Sequence, residues 1–473
     1  MPKRNYDSKM PYSKDLKPGG KSSSKILTLR NMIIAATTVG LIWFHVIASN
    51  AAEAKGAGGG GTIAVIDAGS SGSRIHVYKY KNDGSGSKIV EADHQTLKSK
   101  PGLSSFANEN PDDAGSSLEP LLEFAKKHIS TDTISSTPIL LKATAGLRLV
   151  QQENPQAVDT ILQSVQKTLK DSGFQFTTSD AQIISGQEEG MLGWLALNYL
   201  YDTAKKSNLR SSNKPIWSVF EMGGASVQVS VPLDDNDSQG IPSEQILPYS
   251  SPTSGEKGSM YTHSFLGFGV QSARSAVDKA LLTPNEEGGT KLDHPCLPTG
   301  YTETAPSDDH TITGTGNFEE CQEIIRSAVF TPQENEIAEC KKAGANHCFW
   351  NGVAGPKLSD SDSNKVWAFE NFFYTMSGVG EMEADESARE FVIADYLRVA
   401  KTMCTKSWSE TEENYPKDAQ PRSYNSEWCF SALYAYSILT LGLGLDPQQT
   451  IMIGNKVDNF GIDWALGAVL QHQ

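Results

Sequence analysis

The chain has 473 residues, 38% hydrophobic and 21% charged, with a formal net charge of −15. That length exceeds what one hydrophobic core usually holds, so two domains are expected, and the composition is that of a globular protein. The first thirty residues carry eight Lys/Arg against two Asp, a net +6 that leaves −21 on the remainder, and so acidic a body excludes nucleic acid as an electrostatic partner.

In chain order, a basic tail (1–31) precedes the uncharged, largely apolar run Met32–Ala48. The run is at the short end of spanning length, and the small residues from Ala48 to Ala54 suit a cleaved signal peptide as well. The long basic region before it favours a single uncleaved transmembrane helix over 32–50, with the N-terminus cytosolic and the bulk luminal. Residues 51–61 read as a flexible stalk.

Ile63-Ala64-Val65-Ile66-Asp67 then reads as a strand ending in a carboxylate, followed by a turn of Ala68, Gly69, Ser70, Ser71, Gly72 and Ser73 and a second strand from Arg74. Small turn residues let amides and hydroxyls approach an anion, and a carboxylate at the lip suits a hydrated divalent cation. An ordinary hairpin would look similar, but the design recurs ~150 residues on, in Trp217–Glu221, the turn Gly223-Gly224-Ala225-Ser226, and Val227-Gln228-Val229. Two such hairpins suggest two related lobes presenting phosphate loops to one cleft.

Between them, Leu118, Leu121, Leu122, Ala125 and Ile129 have helical spacing and read as core. A short strand runs into Lys142-Ala143-Thr144-Ala145-Gly146-Leu147-Arg148, where Thr144 and nearby amides suit a phosphate. Asn154-Pro155 opens a structural helix that Gly173 closes. Ser185 and Glu188 have capping-box spacing, so the Glu188 carboxylate is expected to reach back to the Ser185 amide. Glu189 is left without a structural task, at a helix start where a general base for an attacking water would stand.

Past the second hairpin, Asp234–Gly240, with the sequon Asn236-Asp237-Ser238, and Pro252–Gly258 read as surface insertions, and the aromatics of Trp367–Tyr374 read first as core. All six cysteines lie beyond the apolar run with no CxxC pair, which favours disulfides over metal ligation in a luminal segment.

Asp67–Arg74, Lys142–Arg148, Gln187–Gly190 with Gly193-Trp194, and Gly223–Ser226 with Gln228 resemble, in order, the signature blocks of the apyrase family of nucleoside di- and triphosphate hydrolases, and within it the Golgi guanosine-diphosphatase branch. A fifth block is recognisable in Trp428-Cys429-Phe430 through Tyr436 and in Trp464–Ala468, so the resemblance covers 62–473. It implies an α/β fold of two ribonuclease-H-like lobes, as in actin and the sugar kinases, with a nucleotide cleft between an N-lobe (62–184 with 447–473) and a C-lobe (185–446). It implies that Asp67 and Glu221 hold a divalent cation (Ca2+, Mg2+ or Mn2+), mostly through water, and that Glu189 is the base. Phosphate binding falls to Ser70, Ser71, Gly72, Ser73, Arg74, Thr144, Ala145, Gly223, Gly224, Ala225, Ser226 and Gln228, and Tyr374 aligns with an aromatic that stacks on the nucleobase. Arg74 and Arg148 suit either phosphate or a structural ion pair. The family's habit pairs neighbouring cysteines: Cys296–Cys321, Cys340–Cys348 and Cys404–Cys429. One departure is Glu221, where the family usually has Asp.

The need for a cation has a physical basis: a carboxylate about 4 Å from one phosphate charge meets roughly 4 kcal/mol of repulsion at an effective dielectric of about 20, and this site has two. The expectation is a metal-dependent, Golgi-luminal, membrane-anchored hydrolase of GDP or UDP. The alternatives are a broader apyrase that also takes triphosphates, or a nucleotide-driven chaperone or sensor on the same fold. Oligomeric state is not legible.

Overall fold

The computed structural model describes residues 60–472, except 83–87, 92–93, 205–215, 234–237, 283–290, 305–310, 332–333, 359–364, 415–424 and a few single positions. The basic tail, the expected anchor, most of the stalk and Asn236 lie outside the described residues. Among the described residues no helix is long and apolar enough to cross a membrane.

The fold is mixed α/β and carries two large sheets. The first contains β1 (Gly60–Ala68), β2 (Ser73–Asn82), β3 (Lys88–Val90), β4 (Gln95–Ser99), β5 (Ile139–Ala143) and β6 (Ala181–Ile183), in the order β3-β2-β1-β5-β6 with β4 also on β2. β1 is its centre: Ile63, Ala64, Val65 and Ile66 are all 0% exposed, as an apolar run covered on both faces must be. The second contains β7 (Ser218–Met222), β8 (Ser226–Leu233), β9 (Ile246–Ser250), β10 (Lys257–Leu266), β11 (Val366–Glu370), β12 (Arg389–Val392) and β13 (Thr450–Ile453), in the order β12-β13-β11-β7-β8-β10-β9.

The two sheets share a plan. Each centres on an antiparallel hairpin, β1–β2 or β7–β8, with a further antiparallel strand on one side and two parallel strands on the other. Thr450–Ile453, grouped by sequence with the first lobe, pairs in parallel with β11 and is the second parallel strand of the second sheet.

The helices relevant to the site are α1 (Glu119–His128), α2 (Ala145–Glu153), α3 (Pro155–Asp171), α4 (Gly186–Thr203), α5 (Val270–Leu281), α6 (Asn371–Gly378), α7 (Ala394–Thr405), α8 (Trp428–Ser437) and α9 (Trp464–Gln471). α1 buries Leu121, Leu122 and Ala125, and α3 buries Val158, Ile161, Val165 and Leu169, both into the core of the first sheet. Asn154 caps α3 by accepting from the Ala157 amide at 3.1 Å. α7 and α8 pack in the core of the second sheet, where Cys404 and Cys429 join them. The pairings Cys296–Cys321 and Cys340–Cys348 also match expectation.

A third core joins the sheets. It runs from Ile63 and Val65 of β1, through α4 and α9, to Val219 of β7 and Trp367 of β11. α4 is apolar nearly all round, burying Leu192, Trp194, Leu195, Ala196 and Leu197, because both sheets and α9 cover it.

Candidate active site

Each central hairpin ends in the same closed turn: the Gly69 amide donates to the Gly72 carbonyl at 3.0 Å, and the Gly223 amide donates to the Ser226 carbonyl at 2.9 Å. The first amides of α5 donate to the Gly223 and Gly224 carbonyls and fix the second turn from behind. The turns face each other closely, since a Cβ on Gly224 would lie 2.7 Å from Ser70 Oγ. A larger residue there would push them apart.

Together they form a cleft of about 700 Å3, counted out to the solvent at its mouth. Of the residues named from sequence, Asp67, Ser70, Ser71, Gly72, Arg74, Thr144, Ala145, Glu189, Glu221, Gly223, Gly224, Ala225 and Ser226 line it. Three do not. Ser73 is buried at the start of β2. Gln228 lies behind the second turn, its amide donating to Ser226 Oγ at 2.6 Å and Ser264 Oγ at 3.3 Å. Tyr374 is 38% exposed on α6, with its hydroxyl turned to Arg74.

Glu189 sits in the first turn of α4, buried, and its Oε2 accepts from Arg148 Nη2 at 2.7 Å. Arg148 also donates to the Ile184 carbonyl at 3.3 Å and to Ser226 Oγ at 3.4 Å, so it acts as a brace between α2, α4 and β8. Burial raises the Glu189 pKa, and the Arg148 guanidinium opposes that rise. Ser185 caps α4 as expected, accepting from the Glu188 amide at 3.0 Å. The second half of the expected capping box is absent: the Glu188 carboxylate lies 3.9 Å from Lys142 Nζ on β5 instead.

Asp67 and Glu221 close the two central strands from opposite sheets. Burial pushes both carboxyls well above the usual range, and the charges of neighbouring carboxylates push them further. Asp67 Oδ1 and Glu221 Oε2 are buried without a hydrogen-bond partner. Such a pair fits a divalent cation, which would satisfy both oxygens and remove the mutual repulsion. The extra methylene of Glu221 is accommodated at Gly193 of α4, where a Cβ would lie 3.3 Å from Oε2.

The cleft also contains Lys98, Phe369, Glu370, Asp463 and Trp464, none of which sequence reasoning gives a role in the site, although Trp464 belongs to the fifth block and Phe369 reads as core. Asp463 caps α9 by accepting from the Ala465 amide at 2.7 Å, and its other oxygen lies 3.2 Å from His76 Nε2 and 3.6 Å from Arg74. Burial raises its pKa, but His76 and Arg74 outweigh burial and hold the carboxyl well below the usual range. Glu370 ends β11 with φ 57° and ψ −121°, a strained conformation for a side chain of that size. A signal for it existed: Val366–Glu370 is a third apolar strand ending in a carboxylate, with Phe369 paired opposite Glu221.

A model of the GDA1/CD39 (nucleoside phosphatase) family matches residues 62–473. The chain is similar to probable apyrase 4 of Arabidopsis thaliana, 32% identical over 434 residues, covering 86% of this chain and 78% of that protein. It is similar also to the guanosine-diphosphatase of Schizosaccharomyces pombe, 29% identical over 437 residues, covering 86% and 73%. In three dimensions it resembles the crystal structure of nucleoside triphosphate hydrolases from Neospora caninum, with a TM-score of 0.57 at 16% identity, covering 92% of this chain and 96% of that one, a likeness of fold.

Proposed function

From the premise that the chain belongs to the GDA1/CD39 (nucleoside phosphatase) family and is a nucleoside phosphate hydrolase, we propose that it hydrolyses nucleoside diphosphates, GDP or UDP, to the monophosphate and phosphate. The observation that carries this reading is Glu189: a buried carboxylate, braced by Arg148 at 2.7 Å, opening onto a cleft walled by two Gly/Ser turns. Water attacks the terminal phosphorus, the anhydride bond to the bridging oxygen breaks, and that oxygen leaves with the nucleoside monophosphate. The water's proton passes to Glu189 Oε.

Ser70, Ser71, Gly72 and Thr144 with Ala145 hold the phosphates from one side, and Gly223, Gly224, Ala225 and Ser226 from the other. Gln228 orients Ser226 from behind, Ser73 closes the first turn through its backbone pairing with Ala68, and Tyr374 offers its ring to the base at the mouth. Asp67 and Glu221 would hold a divalent cation (Ca2+, Mg2+ or Mn2+), which when bound neutralises phosphate charge and stabilises the transition state. Arg148 favours the ionised form of the Glu189 carboxylate against its burial and fixes its aim.

Three disulfides and the similarity to a guanosine-diphosphatase support a lumen of the secretory pathway, the Golgi, with the 32–50 segment as a single-pass anchor. Similarity to a probable apyrase at 32% identity supports a second reading in which triphosphates are cleaved as well. Phosphate release by the purified full chain from GDP, UDP, ADP, GTP and ATP distinguishes them. Faster turnover of diphosphates is expected, equal or faster triphosphate cleavage selects the apyrase, and no release from any nucleotide sinks both.

A further inference from the structure

Lys98 has no part in the reaction described above. It stands directly across the sheet from Arg74, because β2 and β4 run antiparallel with Arg74 opposite Lys98, and both line the cleft. Like charges placed opposite each other destabilise a strand pair. Asp463, 3.6 Å from Arg74, offsets one of the two charges. Lys98 is exposed at the cleft mouth, over the first phosphate turn, where a Cβ on Gly72 would lie 3.1 Å from its Cε. Two cations facing a cleft that is otherwise lined with carboxylates form a local anion site.

The register of the first sheet sets these groups in an order: one row across it runs Lys98 on β4, Arg74 on β2, Asp67 on β1 and Lys142 on β5. At the β5 end of that row Lys142 Nζ lies 3.9 Å from the carboxylate of Glu188, the neighbour of Glu189 on α4. Asp67 therefore stands between the Arg74–Lys98 pair and the side of the cleft that carries Glu189. A nucleotide whose terminal phosphorus faces Glu189 therefore extends past Asp67 toward the Arg74–Lys98 pair.

We propose that Arg74 and Lys98 form the subsite for the phosphate that remains on the nucleoside, with Lys98 a substrate-binding residue that sets which end of the nucleotide meets the base. This rests on the reading that the cleft hydrolyses nucleoside diphosphates. The test is Lys98→Gln in the full chain, read by steady-state kinetics and product inhibition. KM for GDP should rise roughly tenfold with kcat within about twofold, as expected for loss of one charged contact made equally in ground and transition states. The inhibition constant of GMP should rise by the same factor, that of inorganic phosphate should stay unchanged, and Lys98→Arg should restore both parameters. A raised constant for phosphate with GMP unaffected would put Lys98 on the terminal phosphate and overturn the subsite. No change in either would make Lys98 a plain surface residue. A parent protein that cleaves no diphosphate defeats the functional reading alone, because calorimetric binding of GMP to the parent and to Lys98→Gln still decides the subsite.

Discussion

The two halves of the cleft are built on one plan and contribute different chemistry. The first sheet and its helices supply the cations: Arg74 and Lys98 line the cleft, and Arg148 stands behind Glu189. The second sheet lines it with Glu221, Glu370, Phe369 and the Gly223–Ser226 turn, backed by neutral hydrogen bonds among Ser226, Gln228, Ser264, Ser230 and Thr262. Arg274 of α5, the helix behind the second turn, is turned inward to Asp278 at 2.8 Å, Glu303 at 2.7 Å and Glu427 at 3.3 Å. A repeated scaffold has thus kept one carboxylate per hairpin in equivalent places, while attraction for phosphate comes from one side.

The largest expected effect tests the equivalence of the two carboxylates. Stripping divalent cations with EDTA should abolish phosphate release, and adding Ca2+, Mg2+ or Mn2+ should restore it. Asp67→Asn and Glu221→Gln should each weaken cation activation by at least about tenfold. A Glu221→Gln protein with the parental cation requirement would break the symmetry and leave the first hairpin to hold the metal alone.

Next in size is Glu189→Gln, which keeps shape but cannot accept the water's proton. Turnover should fall roughly 10²–10⁴-fold, with nucleotide affinity and melting temperature little changed. Parental turnover in this variant would remove the base from α4 and leave Arg148 bracing a structural carboxylate.

The same contrast separates what sequence reveals from what it hides. Asp67, the two turns and Glu189 lie in contiguous segments whose local chemistry announces them, and all of them meet in the cleft. Asp463 also has a local explanation, as the cap of α9, and that sufficient explanation masks its contacts with His76 and Arg74. Glu370 ends a third apolar strand with a carboxylate, a signal masked by the aromatics around it, which read first as core, and its φ of 57° is a conformation uncommon outside glycine. Lys98 becomes meaningful only through the β2–β4 register. The strand Thr450–Ile453 joins β11 across some 80 residues of sequence, a pairing set by long-range packing that no local pattern carries.

A smaller effect sharpens the difference in how the halves use charge. Burial first, then Glu303 and Asp278, overrides Arg274 and pushes the Glu427 carboxyl up to about 7. A folded-state pKa above the unfolded value means that the folded protein binds the proton more tightly. This group's contribution to stability is therefore full below the usual carboxylate range and lost as pH rises through about 7. The loss should be on the order of 1–2 kcal/mol, discounted for partial exposure. Denaturant titrations from pH 5 to 8 should show stability falling in the parent and a flatter profile in Glu427→Gln. Identical slopes would mean that the Arg274 cluster does not titrate in that window.

The smallest effect lies where the halves touch, at the start of the helix that carries the proposed base. Ser185 Oγ accepts from the Glu188 amide at 3.0 Å, whereas the Glu188 carboxylate crosses to Lys142 on β5 at 3.9 Å, with about a third of its side chain exposed. Losing a serine cap costs about 1 kcal/mol, and a partly exposed ion pair at that separation contributes a few tenths. Ser185→Ala should therefore lower the melting temperature by about 2 °C, and Glu188→Ala by less. The Glu188 shift should also shrink in high salt, since a Coulombic contact is screened and a cap is not. Both variants should keep most of their turnover, because neither side chain lines the cleft. If Glu188→Ala were instead the more destabilising of the two and insensitive to salt, its carboxylate would be capping α4 in solution, and the contact with Lys142 would hold nothing together.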